Sequence, residues 1–96
     1  MSTQTLTLDG HSFRADRIDL PASSCLLTIQ GTRGFLACGY VSLAAAEAFG
    51  HAVAIVKGVK DFDDMLAAPV RGASPAAAAL GIAEGMTGRD ALLRLA

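Results

Sequence analysis

The first twenty residues restrict the fold more than any other stretch. Thr5-Leu6-Thr7-Leu8 alternates polar and apolar side chains at period two, Asp9-Gly10 is a two-residue hairpin turn, and His11 to Leu20 resumes an extended pattern. The chain is therefore expected to open as an antiparallel hairpin. Along its second strand Phe13 and Ala15 share one parity, whereas Ile18 and Leu20 share the other. That change predicts a bulge or bend near Asp16-Arg17. It also leaves apolar groups on two surfaces, and a lone hairpin is marginal in water. Two solutions stay open: a second copy of the chain buries the extra surface, or the ribbon curls around its own domain. The first makes residues 1–22 an oligomerisation segment, with Leu6, Leu8, Phe13, Ile18 and Leu20 at the interface.

Downstream, Pro21 to Ser24 breaks the strand, and Cys25 to Gln30 and Phe35 to Cys38 read as two more strands around the loop Gly31-Thr32-Arg33-Gly34. The period then changes. Leu43 to Phe49 carries a single charge, Glu47, and predicts a helix buried on most sides and stopped by Gly50. Ala52 to Val56 is a short apolar run with the character of a central strand. Asp61 caps a helix through Phe62, Met65 and Leu66 that ends before Pro69, and Val70 to Ala73 can form one more strand. Ser74-Pro75 starts a further helix and Thr87 to Asp90 the last, Asp90 completing a capping box with Thr87. This order predicts an α+β fold in a single domain, residues 1–96: an N-terminal antiparallel β-hairpin and sheet, then mixed helices with one or two further strands. The expected core holds Leu26, Leu27, Ile29, Phe35, Leu36, Leu43, Phe49, Val53, Ile55, Leu66, Leu80, Leu92 and Leu95.

Composition narrows the function classes. A net charge of −1 and a pI near 6.0 give no footprint for nucleic acid or an anionic membrane. Only 18% of residues are charged and the mean hydropathy is +0.44, which argues against disorder and describes a greasy chain for a small monomer. The first residues lack the basic and apolar blocks of an export signal. The longest runs free of charge, Leu20 to Thr32 and Gly34 to Ala46, are 13 residues each, short of the roughly 18 apolar residues of a spanning helix. A soluble cytoplasmic protein follows as the expectation, with Cys25 and Cys38 as reduced thiols.

The motifs Gly34-Phe35-Leu36-Ala37-Cys38-Gly39, Gly58-Val59, Ala68-Pro69-Val70, Leu80-Gly81-Ile82 and Gly85-Met86-Thr87-Gly88-Arg89-Asp90-Ala91-Leu92-Leu93 together resemble the YunC-like family, a domain of unknown function. The resemblance runs over nearly the whole chain. It implies a small α+β domain whose N-terminal β region builds a homo-oligomer, a tetramer, with no assigned activity.

Two sites could carry chemistry. Cys38 falls where a strand ends before a helix, and Gly39 beside it would admit a ligand to the backbone. This thiol is either a catalytic nucleophile or a small buried hydrophobe. Thr87-Gly88-Arg89 offers a hydroxyl, helix-start N–H groups and a guanidinium, which form either a cradle for a small anion or an ordinary cap, with Arg89 paired to Asp90 or Glu84. Asp61, Asp63 and Asp64 read as a helix start. His11 and His51 read as loop residues outside any zinc spacing, so no metal and no cofactor is expected. The leading reading is a homo-oligomeric binding or assembly module. The alternative is a small cysteine-dependent enzyme or anion sensor using Cys38 and Arg89.

Overall fold

The computed structural model describes residues 2–22 and 24–96. Its centre is a six-stranded sheet in the order β1-β2-β3-β4-β5-β6. β1 (Ser2–Leu8) and β2 (His11–Leu20) form the hairpin, followed by β3 (Ser24–Gln30) and β4 (Gly34–Ala37). The helix α1 (Leu43–Ala48) then carries the chain to β5 (Ala52–Ile55), which lies parallel to β4. All other neighbours are antiparallel. The helix α2 (Phe62–Ala67), the two-residue β6 (Gly72–Ala73) and the helices α3 (Pro75–Ala79) and α4 (Gly88–Arg94) complete the fold. This is the α+β architecture the residue pattern predicts.

Local chemistry explains the elements. Asp9 and Gly10 both take positive φ, 49° and 82°, the left-handed pair that lets Leu8 and His11 face each other across a tight turn. Each helix starts on a side-chain acceptor: Ser42, Asp61, Ser74 and Thr87 receive the N–H of Ala45, Asp64, Ala77 and Asp90. Ser74 does more, a role its sequence context hides. Fully buried, its hydroxyl also accepts the Val53 N–H at 2.9 Å and donates to the His51 carbonyl at 2.7 Å, tying α3 to β5.

The expected bulge at Asp16-Arg17 is absent. β2 keeps one continuous register against β1 and β3, from Ser2↔Arg17 to Leu8↔His11 and from Arg14↔Gln30 to Leu20↔Ser24. Phe13 and Ala15 face one side and Ile18 and Leu20 the other because the strand alternates, and each side takes its own neighbours.

The two sides of the sheet are covered unequally. On one, Phe13, Ala15, Leu27, Ile29, Leu36 and Ala54 pack with Met65 of α2, Ala77 of α3 and Ala91 and Leu92 of α4 in the main core. On the other, α1 covers only β4 and β5, where Ala46 meets Ala37, Val53 and Ile55. Two expectations fail here. α1 buries Ala46 alone rather than most of its surface, and Phe49, expected in the core, is 77% exposed. The reason is that α1 lies on the thinly covered side, so one face of it suffices to seal two strands. Phe13, expected at a subunit interface, is 2% exposed and sits in the chain's own core, where it offers nothing to a partner.

Asp16 stands on the open side of β2, only 7% exposed. Its carboxylate accepts the Thr3 hydroxyl at 2.6 Å and lies 3.0 Å from the Arg14 Nε. The Thr3 hydrogen bond, outweighing burial and helped by Arg14, holds the Asp16 pKa below the ordinary carboxylate range. A depressed folded value means that the group stabilises the β1–β2 pairing at neutral pH and loses that contribution as pH falls through the folded value. Urea denaturation of the parent and of Asp16→Asn should therefore differ at pH 7 and converge in acid. A difference that stays constant with pH would contradict this role.

Candidate functional site

The parallel pair β4–α1–β5 fixes where a ligand can enter. From β4 the chain leaves toward α1 on one side of the sheet, and from β5 it leaves toward α2 on the other. Loops that part in opposite directions open a crevice beyond the carboxyl ends of parallel strands. A cleft of about 610 Å³ lies there, within the size range of small-molecule sites. One wall is the loop after β4, with Cys38, Gly39 and Tyr40, and the other is the loop after β5, with Lys57, Gly58, Val59 and Lys60. Arg17 of β2 and Ser24 and Cys25 of β3 form the floor and rim.

Each side chain has a local reason for its place. Cys38 continues the β3–β4 pairing: its N–H donates to the Leu27 carbonyl at 3.1 Å and its sulfur accepts the Leu27 N–H at 3.3 Å. The thiol is buried, 4% exposed, and belongs to the main core. Cys25 is half-buried, with its sulfur 3.6 Å from the Lys60 carbonyl oxygen. Gly39 keeps the walls close, since a methyl group there would stand 3.3 Å from Cγ of Lys57. Arg17 gives its Nε to Asp19 at 3.0 Å. That hydrogen bond, followed by the neighbouring Cys25, pushes the Arg17 pKa up and leaves a fixed cation. Among the described residues, no carboxylate or imidazole belongs to the lining. Nearby, Asp61 and Asp64 are engaged at the start of α2, accepting the N–H groups of Asp64 and Lys60.

Cys38 and Gly39 thus share a site, but Thr87, Gly88 and Arg89 do not join it. The Thr87 hydroxyl accepts the Asp90 N–H, the Gly88 N–H donates to the Ala68 carbonyl at 2.8 Å, and Arg89 pairs with Asp9 at 2.9 Å. The Gly88 N–H is used by Ala68, the Thr87 oxygen by the cap and one Arg89 nitrogen by the β1–β2 turn, and none of the three residues lines the cleft. Of the residues expected at an interface, Leu6 and Leu8 pack partly against the main core, whereas Ile18 and Leu20 lie on the open side. The pairing of the Cys38 and Lys57 loops was the missed feature. Its signal was the strand–helix–strand order, which makes two consecutive strands parallel neighbours and sets their exits side by side.

The chemistry available to the thiols is limited by these surroundings. Among the described residues no imidazole or carboxylate lines the cleft, so neither sulfur has there the usual partner of a catalytic cysteine. In the folded protein Cys25 should alkylate well before Cys38, with Cys38 reacting only as the core opens. Mass spectrometry of partly labelled protein checks the order. Cys38 reacting first, at or above the rate of a free thiol, would restore the nucleophile reading.

Fold and cleft together define a small α+β domain with a ligand-sized crevice at the switch point of its sheet. The chain belongs to the family described as Domain of unknown function (DUF1805), whose model matches residues 37–95. It is 30% identical over 94 residues to Uncharacterized protein YunC of Bacillus subtilis (strain 168), covering 94% of this chain and 92% of that protein. Among solved structures it is similar to a protein of unknown function, TA1206 from Thermoplasma acidophilum. That comparison has a TM-score of 0.94 and 32% identity, over 99% of this chain and 92% of the other.

Proposed function

We propose that the protein is a self-assembling binding domain, in which copies of the chain meet through the uncovered side of β2 and β3 and leave the cleft free for a small ligand. One observation carries the reading: three helices cover one side of the sheet, while α1 covers only β4 and β5 of the other. Ile18 stands 40% exposed on the uncovered part, paired with Leu26 across the strands and two residues from Leu20. Ile18 is exposed and Leu20 and Leu26 are half-buried, and an apolar group on an uncovered face supports a contact there.

Two further features favour a second copy as the occupant. Arg14 and Asp16 are the charged groups beside the patch on β2, and they pair with each other while Thr3 donates to Asp16, so covering them leaves the pair intact. β1 is also an open edge of the sheet, seven residues long, without proline or charge. Such an edge is a template for strand pairing. An open side and an open edge are two distinct surfaces, and two self-complementary contacts are what a dihedral tetramer requires. The resemblance of the sequence to the YunC-like family implies the same size.

Hydroxyl-radical footprinting at high and low protein concentration tests the location. Ile18 and Leu26 should label more strongly on dilution, while Phe49 changes less. Labelling of Ile18 and Leu26 that is independent of concentration down to the nanomolar range would overturn the reading.

A further inference from the structure

The cleft collects charge out of proportion to the chain. Net charge is −1, yet the lining includes Arg17, Lys57 and Lys60, the latter two being all the lysines the protein has. Neither lysine has a carboxylate within ion-pair distance among the described residues. Arg17 gives only its Nε to Asp19, which leaves the two outer nitrogens of its fork without a protein acceptor among the described residues. The backbone adds donors. Among the described residues, no protein acceptor takes the N–H of Gly39, Tyr40, Gly58 or Val59, at the facing ends of the two loops.

We propose that this cleft binds a small phosphate-bearing molecule, its phosphate group held by Lys57, Lys60 and the free edge of Arg17 together with N–H groups of the two loops. A phosphate suits the site better than a carboxylate for two reasons. Three cations, only one of them partly neutralised by Asp19, match a dianion. Loop N–H groups and several side-chain donors also exceed what two carboxylate oxygens accept, whereas a phosphate group offers three terminal oxygens. The cleft's volume leaves room for the rest of the molecule beside Tyr40 and Val59. This inference does not depend on self-assembly, because every group named belongs to one chain.

The test is an NMR titration of the full-length 15N-labelled protein with inorganic phosphate at pH 7, with ionic strength held constant by chloride. Amide shifts should concentrate at Gly39, Tyr40 and Lys57 to Lys60. Acetate should bind at least about tenfold more weakly, since it carries only a single charge and offers two acceptor oxygens. The double variant Lys57→Gln/Lys60→Gln should fold normally, because both side chains are exposed, and should lose phosphate affinity about tenfold or more. Arg33→Gln, at the opposite end of β4, should bind as the parent does. The proposal is overturned if phosphate shifts no amide in the two loops, or shifts those near Arg33, Arg71 and Arg89 equally. Acetate binding as tightly as phosphate, or a double variant binding as the parent does, overturns it as well.

Discussion

Ile18→Asp is expected to separate the subunits without unfolding them. In one chain Ile18 is 40% exposed on the open side of β2, where surface substitutions usually change stability by about 0.5 kcal/mol or less. Within an interface the same carboxylate would be stripped of water, next to Leu26, at a cost of about 2–5 kcal/mol per buried copy. In a two-fold contact each subunit contributes one Asp, so the subunit dissociation constant should rise by at least about 10³. Circular dichroism and thermal melting report the fold, and light scattering the mass. A folded Ile18→Asp protein with the parent's mass would show that this patch is not a contact. Phe13→Asp carries no such information: at 2% exposure it places a charge in the main core and should unfold the chain.

Gly88→Ala is expected to be among the most damaging small changes in the protein, alongside Gly31→Ala and Gly34→Ala, whose methyl groups would also run into backbone. A methyl group on Gly88 would fall 1.9 Å from the Met65 carbonyl oxygen and 3.2 Å from Leu36 Cδ2. The first turn of α4 therefore lies directly against the backbone of α2, held there by the bond from the Gly88 N–H to the Ala68 carbonyl. Backbone cannot swing aside as a side chain does, so α2 and α4 must separate over the β4 core. Overpacking costs about 1–3 kcal/mol, and a methyl group driven against backbone falls at the upper end, about 3 kcal/mol. For a chain of this size the corresponding fall in Tm is at least about 12 °C. Gly72→Ala is the control, because its methyl group would meet only the end of Leu43, at 3.2 Å. A Gly88→Ala protein melting within a few degrees of the parent would contradict the close packing of α2 and α4.

The same glycine illustrates what the sequence could and could not reveal. Gly88 sits in the most distinctive motif of the chain, and its neighbours read naturally as an anion cradle. The features were local and correctly placed, with Thr87 as the cap and α4 following it. What could not be read was the approach of Met65 and Ala68 from a distant element, which consumes the space and the N–H group. The hairpin, its Asp9-Gly10 turn and the caps at Asp61, Ser74 and Thr87 were legible because each depends on residues a few positions apart.

Long-range features were not legible in the same way. Phe49 looked like core because apolar content alone cannot tell a helix sealed on all sides from one lying over two strands. Ile18 and Leu20 were correctly set on a different side from Phe13, but the cause was simple alternation and not a bulge. Arg89 found Asp9, eighty positions away, in place of a neighbour in its own helix. The cleft was half visible: Cys38 and Gly39 stand out between a strand and a helix, whereas Lys57 and Lys60 belong to no motif. Only the parallel pairing of β4 with β5 brings the two loops together and turns scattered residues into one site.

Sedimentation equilibrium of the unmodified chain, from millimolar down to nanomolar concentration, bears most directly on whether sister subunits cover the bare flank of the sheet. A mass that is a whole multiple of 9.8 kDa at micromolar concentration is expected, four-fold if both the side and the edge are used. A stable, cooperatively folded 9.8 kDa particle throughout the range would mean that the flank stays wet and that self-assembly is not what this surface is for.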